Sequence, residues 1–209
     1  VKKLEDEIGV RLEYVKLNYE VDPNHNTYKS DGYNYLQPFP NARITYKINT
    51  RNRLSAFYNR RVDRPDEGDV RIFPKYDDAG IIKVGNPSLM PQFTNSLELG
   101  YKNDWEQGSF YGALYHRMSA GTITRIGTSV DSTNLIYNVS QNVGKSYNTG
   151  IEIVISQKLS DIINVNLNIN GYHNQIDAFT VVNQYPVMNI FTSEKEEIYS
   201  GNVKLNTNV

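Results

Sequence analysis

The 209-residue chain has no cysteine, which excludes disulfide staples, thiol catalysis and cysteine-based zinc sites. It has only three histidines, His25, His116 and His173. They lie in separate segments, without the close spacing of a zinc-binding pair. No apolar run approaches the roughly 18 residues that a membrane-crossing helix needs. Neither sign of charge dominates: 22 Lys and Arg face 23 Asp and Glu, so the basic footprint of a nucleic-acid binder is missing. The chain opens Val1-Lys2-Lys3-Leu4-Glu5-Asp6-Glu7, with neither an initiator Met nor an apolar leader, and no targeting segment is read in it.

Tyrosine and asparagine are plentiful instead. The 16 tyrosines suit strands and membrane-interface belts. Asparagine is usually a turn residue, yet it alternates inside apparent strands. In Asn164-Val165-Asn166-Leu167-Asn168-Ile169-Asn170 the apolar side chains point one way and the amides the other. Period-two alternation makes this a strand with one apolar face. The opposite face is a ladder of neutral hydrogen-bonding groups, suited to a water-filled lumen or to the solvated side of a soluble sheet.

Seven further segments repeat the pattern. They centre on Val10-Leu12-Tyr14, Ala42-Ile44-Tyr46-Ile48, Leu54-Ala56-Tyr58, Leu97-Leu99-Tyr101, Phe110-Gly112-Leu114, Ile151-Ile153-Ile155 and Tyr199-Gly201-Val203-Leu205. In the fifth, either face qualifies as the apolar one. No amphipathic helix competes with these assignments.

The connections add what no single strand carries. Short turns are expected at 49–52, 102–108 and 160–163, and long links at about 21–38, 62–92, 119–142 and 177–197. Long and short alternate strictly. Unstructured loops beyond ~12–15 residues are uncommon in soluble domains, whereas outer-membrane barrels carry short turns on one rim and long loops on the other. Tyr14, Tyr46, Tyr58, Tyr101 and Trp105 are placed near strand ends, as an aromatic girdle would be. The expected fold is therefore all-β, an antiparallel up-and-down meander of about eight strands, part of a larger transmembrane β-barrel. The alternative is a stand-alone small outer-membrane barrel or a surface β-sandwich with a binding or adhesive role, since eight strands are enough to close a barrel.

Two blocks go beyond pattern. Tyr58-Asn59-Arg60-Arg61-Val62-Asp63-Arg64-Pro65 resembles the Tyr-Ser/Asn-Arg-Arg-Ile-x-Arg-Pro block of TonB-dependent outer-membrane receptors of the Bacteroidetes type. Gly85-Asn86-Pro87-Ser88-Leu89-Met90-Pro91-Gln92, followed by Asn95-Ser96-Leu97-Glu98-Leu99-Gly100-Tyr101, is similar to their Gly-Asn-Pro-x-Leu-x-Pro-Glu…Glu-Leu-Gly-Tyr block. Gln92 stands where Glu is usual. Asn142-Val143-Gly144 before Gly150-Ile151-Glu152 is similar as well, so the resemblance covers nearly the whole chain.

The resemblance implies a receptor of about 22 strands with an N-terminal plug, driven by the inner-membrane TonB system. Such receptors import iron chelates, cobalamin, glycans or peptides. It implies as partners outer-membrane lipid, the rest of the barrel and its plug, TonB through a part not in this chain, and a surface lipoprotein. Residues 1–209 then read as a partial barrel without its plug, and Lys204 to Val209 as a final strand lacking the usual terminal aromatic.

The blocks also have a physical reading. Pro65, Pro87 and Pro91 remove amide donors, so pairing should stop there. Arg60, Arg61 and Arg64 place charge where a strand leaves the bilayer, and are expected to tie the rim together through acceptors such as Asp63 or Asp66. Together with Asn86 these form a structural rim motif.

No catalytic constellation emerges, so neither an enzyme nor a cofactor is expected. The acids Asp63, Asp66, Glu67, Asp69, Asp77 and Asp78 offer hard oxygens but lack an EF-hand spacing. Glu194, Lys195, Glu196 and Glu197 read as a charged loop end. Gly121, Gly127 and Gly144 follow no phosphate-loop pattern, and Asn138-Val139-Ser140 is a bare glycosylation sequon. A ligand is expected to meet the long loops, where binding residues concentrate on a rigid scaffold. Arg71, Phe73, Lys75 and Tyr76 are the candidates, able to stack on or hydrogen-bond a sugar or chelate.

Overall fold

The computed structural model describes residues 3–22, 31–78, 80–130, 134–185 and 188–208. In chain order, strands β1 (Leu4–Tyr19), β2 (Asp31–Lys47) and β3 (Asn52–Asp63) precede an excursion. That excursion carries the one-turn helix α1 (Glu67–Val70) and the short strands β4 (Lys75–Asp78) and β5 (Ile81–Val84). Strands β6 (Gln92–Trp105) and β7 (Gly108–Ala120) return to the wall. A second excursion holds β8 (Ile123–Val130) and β9 (Leu135–Asn142). Then follow β10 (Lys145–Lys158), β11 (Asn164–Ile176), a hairpin of β12 (Phe179–Asn183) and β13 (Asn189–Ser193), and β14 (Glu196–Asn208).

Eight strands form one antiparallel sheet in the order β1-β2-β3-β6-β7-β10-β11-β14. Each wall strand lies beside its predecessor among the wall strands. That is the expected meander.

Register separates the two faces. Ile44, Ala56, Leu99, Leu114 and Ile151 lie side by side across five strands, and Leu99 and Leu114 are exposed. On the other face Thr45, Ser55, Gly100, Ala113, Glu152, Asn170 and Asn202 form the matching row. Leaving a row of Leu and Ile bare in water forfeits about 1.5–3 kcal/mol per side chain, so this face calls for lipid. The ambiguity in β7 is resolved by its neighbours: Phe110, Gly112 and Leu114 share the face of Leu99 and Ile151. Tyr111, Ala113 and Tyr115 face the lumen side.

The polar face is knitted by side chains that cross neighbouring strands. Tyr115 lies over Gly150 to donate to Asn170 Oδ1 at 3.0 Å. Any Cβ at Gly150 would collide with that phenol. Tyr111 lies against Gly100 and donates to Glu98 Oε1 at 2.7 Å. Ser156 donates to Asn166 Oδ1 at 2.7 Å. Within the asparagine ladder, Asn166 and Asn170 thus accept from nearby strands, while Asn168 donates to Glu152 Oε1 at 3.4 Å.

Local geometry departs from the sequence reading in several places. The link placed at 21–38 is shorter, because β2 already starts at Asp31 and contains Pro38 and Pro40. The turn placed at 102–108 shrinks to Glu106 and Gln107 between β6 and β7. Tyr14 and Tyr58 lie well inside β1 and β3 rather than near their ends, while Tyr46, Tyr101 and Trp105 do mark the short-turn rim. The wall strands have 12 to 17 residues, more than the ~9–11 that cross the hydrocarbon layer.

The other long links are not simple loops. Strands β4, β5, β9 and β8 make a second sheet, in which β5 and β9, from two different excursions, pair in parallel. Ile82, Val84 and Val139 form its buried apolar cluster.

Pro38 and Pro40 are tolerated because of where pairing ends. β2 pairs with β1 along its whole length, but with β3 only from Asn41 to Lys47. Above Asn41 its second edge is open, and proline is accommodated on an open edge. Aromatic rings fill the split. Tyr35 meets Phe93 edge-on at 5.4 Å between centroids, and Phe39 stacks on Phe93 at 6.3 Å.

Candidate ligand-binding cap and lumenal wall

The rim motif divides among different partners. Arg61 Nε stands 3.4 Å from Asp63 Oδ2, as expected. Arg64, however, bonds Glu13 and the Tyr35 hydroxyl across the split. Arg60 places its guanidinium over the Phe93 ring, 5.4 Å from the centroid. Asp66, expected as an arginine acceptor, instead caps α1 and accepts from the Asp69 amide at 2.9 Å. Pro65 follows the end of β3, Pro87 lies beyond β5, and Pro91 immediately precedes β6.

Asn86 is the hub of the second block. Its Nδ2 donates to Ser140 O and to Gln141 Oε1, both at 3.1 Å, and its Oδ1 accepts from the Ser88 amide at 3.0 Å. Nearby, Asn142 brackets Met90, accepting from its amide at 2.7 Å and donating to its carbonyl at 2.8 Å. Gly121 turns β7 into β8 at φ +69°, a left-handed conformation that glycine adopts without strain.

A third excursion joins through Asn183, which is fully buried. It accepts from Gln141 Nε2 at 3.0 Å and donates to Thr128 Oγ1 at 3.0 Å and to Tyr185 O at 3.1 Å. Tyr185 packs edge-on against Tyr137 at 5.6 Å, and burial pushes its phenol pKa up. The three excursions thereby make one cap on the long-link rim. Sequence reasoning missed Gln141 and Asn183, whose only signal was polarity in segments read as loops.

Of the expected ligand contacts, Arg71 and Phe73 line two clefts. One, of about 700 Å³, opens between the top of β1 and α1. The smaller, of about 120 Å³, also receives Lys75, Lys83, Arg125, Asn138 and Ser140. Tyr76 lines neither and is 72% exposed. Ser140, in the sequon, donates to Asp69 Oδ1 at 2.9 Å.

The acids are dispersed among separate partners, and no group of three or more metal-ligating residues occurs among the described residues. The side chains of Asp77 and Asp78, and all of His25, lie outside the described residues. His116 and His173 sit on the lipid-side face. His116 Nδ1 is 2.7 Å from Thr149 Oγ1, and His173 stacks on Tyr199 at 4.4 Å. In the charged loop end, Lys195 pairs with Glu197, whose hydrogen bond raises the lysine pKa. Gly127 lies within β8, and Gly144 stands between β9 and β10.

Several solved structures share this fold. The copper transporter OprC aligns at TM-score 0.61 and 11% identity, over 97% of this chain and 37% of that one. The siderophore receptor PirA from Pseudomonas aeruginosa aligns at TM-score 0.56 and 14% identity, over 94% and 42%. The ferric enterobactin receptor PfeA of the same organism aligns at 0.54 and 11%, over 99% and 35%. This chain therefore spans well under half of each of those barrels, and at such identities the likeness shows the fold. Among curated proteins, no sequence matches. The sequence profile of the outer membrane protein beta-barrel family matches residues 1–208. With its apolar outer face, polar inner face and meander order, the chain belongs to the outer membrane protein beta-barrel family and resides in the Gram-negative outer membrane.

Proposed function

We propose that this chain is a wall segment of a TonB-dependent receptor that imports a large or scarce nutrient such as an iron chelate, cobalamin, a glycan or a peptide. The observation that carries the reading is the open sheet. Eight strands lie in meander order, yet β1 and β14 do not pair with each other. An open edge within a bilayer leaves backbone groups without partners at a cost of several kcal/mol each, so further strands are needed to close the wall. The solved barrels that share the fold are more than twice as long as this chain. The Arg-Arg-x-x-Arg-Pro and Gly-Asn-Pro blocks support the Bacteroidetes type.

In this reading the polar face of Glu98, Tyr111, Tyr115 and the asparagine ladder lines the lumen beside a plug. The cap receives the ligand through Arg71, Phe73, Lys75 and Tyr76. TonB acts through a part outside this chain, and a surface lipoprotein covers the cap. The wall itself performs no chemistry.

The test is the full-length gene product and its deletion. A plug domain with a TonB-contacting segment is expected, together with a growth defect of the deletion strain under iron, cobalamin, glycan or peptide limitation. A complete product of only ~220–250 residues that closes its own eight-stranded barrel would establish the stand-alone reading instead.

A further inference from the structure

We propose that the small cap cleft binds a single oxyanion group, phosphate or carboxylate, carried by the imported ligand; this rests on the receptor reading above. Among the described residues the cleft is lined by four cationic side chains, Arg71, Lys75, Lys83 and Arg125, and by no carboxylate. Its volume of about 120 Å³ is well below the ~300–1,000 Å³ of a pocket for a whole drug-sized ligand. One charged group fits, with the remainder of the molecule outside.

Three features point to an anion. Lys75 and Lys83 are direct cross-strand partners in the β4–β5 pair, so two ammonium groups start from the same side of the hairpin. Each lysine also interacts elsewhere, so what the pair contributes is two cationic groups positioned at one cleft.

The two guanidiniums are held near carboxylates but outside hydrogen-bonding distance. Arg125 Nη2 is 3.8 Å from Asp69 Oδ1, and Arg71 Nη1 is 3.8 Å from Glu67 Oε1. That Asp69 oxygen already accepts from Ser140 at 2.9 Å, so the planar forks remain available for an oxyanion, which they match in geometry.

The convergence is built by the fold. Arg71 and Gly85 are locked together by Gly85 N–H donating to Arg71 O at 2.9 Å, and a Cβ at Gly85 would collide with that backbone. Arg125 arrives from a different excursion, on β8.

The experiment uses the full-length receptor, purified in a phosphate-free detergent, and follows the ³¹P linewidth of added inorganic phosphate. Saturable broadening is expected. R71Q/R125Q should weaken the apparent affinity at least ~10-fold, while R71K/R125K, which keeps the charge but loses the planar fork, should fall between that variant and the native receptor. Acetate displacing phosphate assigns a general oxyanion site, and phosphate resisting acetate narrows it to phosphate. No saturable broadening with the native receptor, or equal broadening with R71Q/R125Q, overturns the proposal.

Heat-dependent mobility on gels checks that each variant has folded. The deletion-strain comparison separates the two claims. A growth defect without phosphate binding overturns the oxyanion assignment alone, and no growth defect overturns the receptor reading beneath it.

Discussion

Gln141 Nε2 donates to Asn183 Oδ1 at 3.0 Å, which joins β9 to the β12–β13 hairpin inside the cap. Asn183 has no solvent exposure, and its amide also reaches Thr128 and Tyr185. One side chain therefore holds strands from two excursions together.

Asn183→Ala leaves the buried Gln141 amide with one acceptor fewer, a cost of about 1–3 kcal/mol. That cost is local, because the hairpin's strands pair only with each other. Hydrogen exchange of the amides in β12 and β13 should quicken roughly 5- to 150-fold, with the wall strands unchanged. Unaltered exchange in the hairpin would show that the Asn183 network does not hold it.

The split above Asn41 compares an aromatic contact with an ion pair. Phe39 is 5% exposed and stacks on Phe93, so Phe39→Ala should cost about 3–5 kcal/mol. The Arg64 side chain is 42% exposed, and solvent screening limits its pair with Glu13 to about 0–1 kcal/mol. Urea unfolding of the refolded receptor is expected to rank Phe39→Ala well above Arg64→Ala. The reverse order would mean that the split is sealed by charge.

Leu114 occupies the middle of β7 on the apolar face, beside Leu99 and Ile151. Leu114→Arg should destabilise the lipid-embedded barrel by about 2–4 kcal/mol. Asn168→Arg, on the opposite face of β11, should change stability far less, because that face is polar and wet. Equal losses in reversible unfolding from bilayers would refute the assignment of faces.

Prepared alone in water, these residues keep two free sheet edges on β1 and β14 and an apolar face without lipid. Such edges template pairing with other copies. Aggregation or self-association is expected in light scattering without detergent. A monodisperse monomer with an open sheet would contradict it.

The eight wall strands were legible because each repeats a period of two, and short turns impose their antiparallel order. Val165, Leu167 and Ile169 against their asparagines needed no tertiary information. The cap was not legible. Ile82 and Val84 alternate with Ile81 and Lys83 over only four residues, too short a window to separate strand from loop. Their partners are distant in the chain: Ile82 lies opposite Tyr137 and Val84 opposite Val139, and no periodicity encodes such a contact. For the same reason Arg71, Phe73 and Lys75 were found by composition, whereas Lys83 and Arg125 joined them only in space.

Local period and link length were thus enough for the alternating faces, the strand order and the membrane setting, because each is written within a strand or between two consecutive ones. Which side of β7 meets lipid needed the packed sheet, since it depends on the neighbours Leu99 and Ile151. The parting of β2 from β3 above Asn41, and the assembly of three long links into a cap with a cationic cleft, needed it too. Those features rest on contacts between residues far apart in the chain, where packing and hydrogen-bond satisfaction choose the partner.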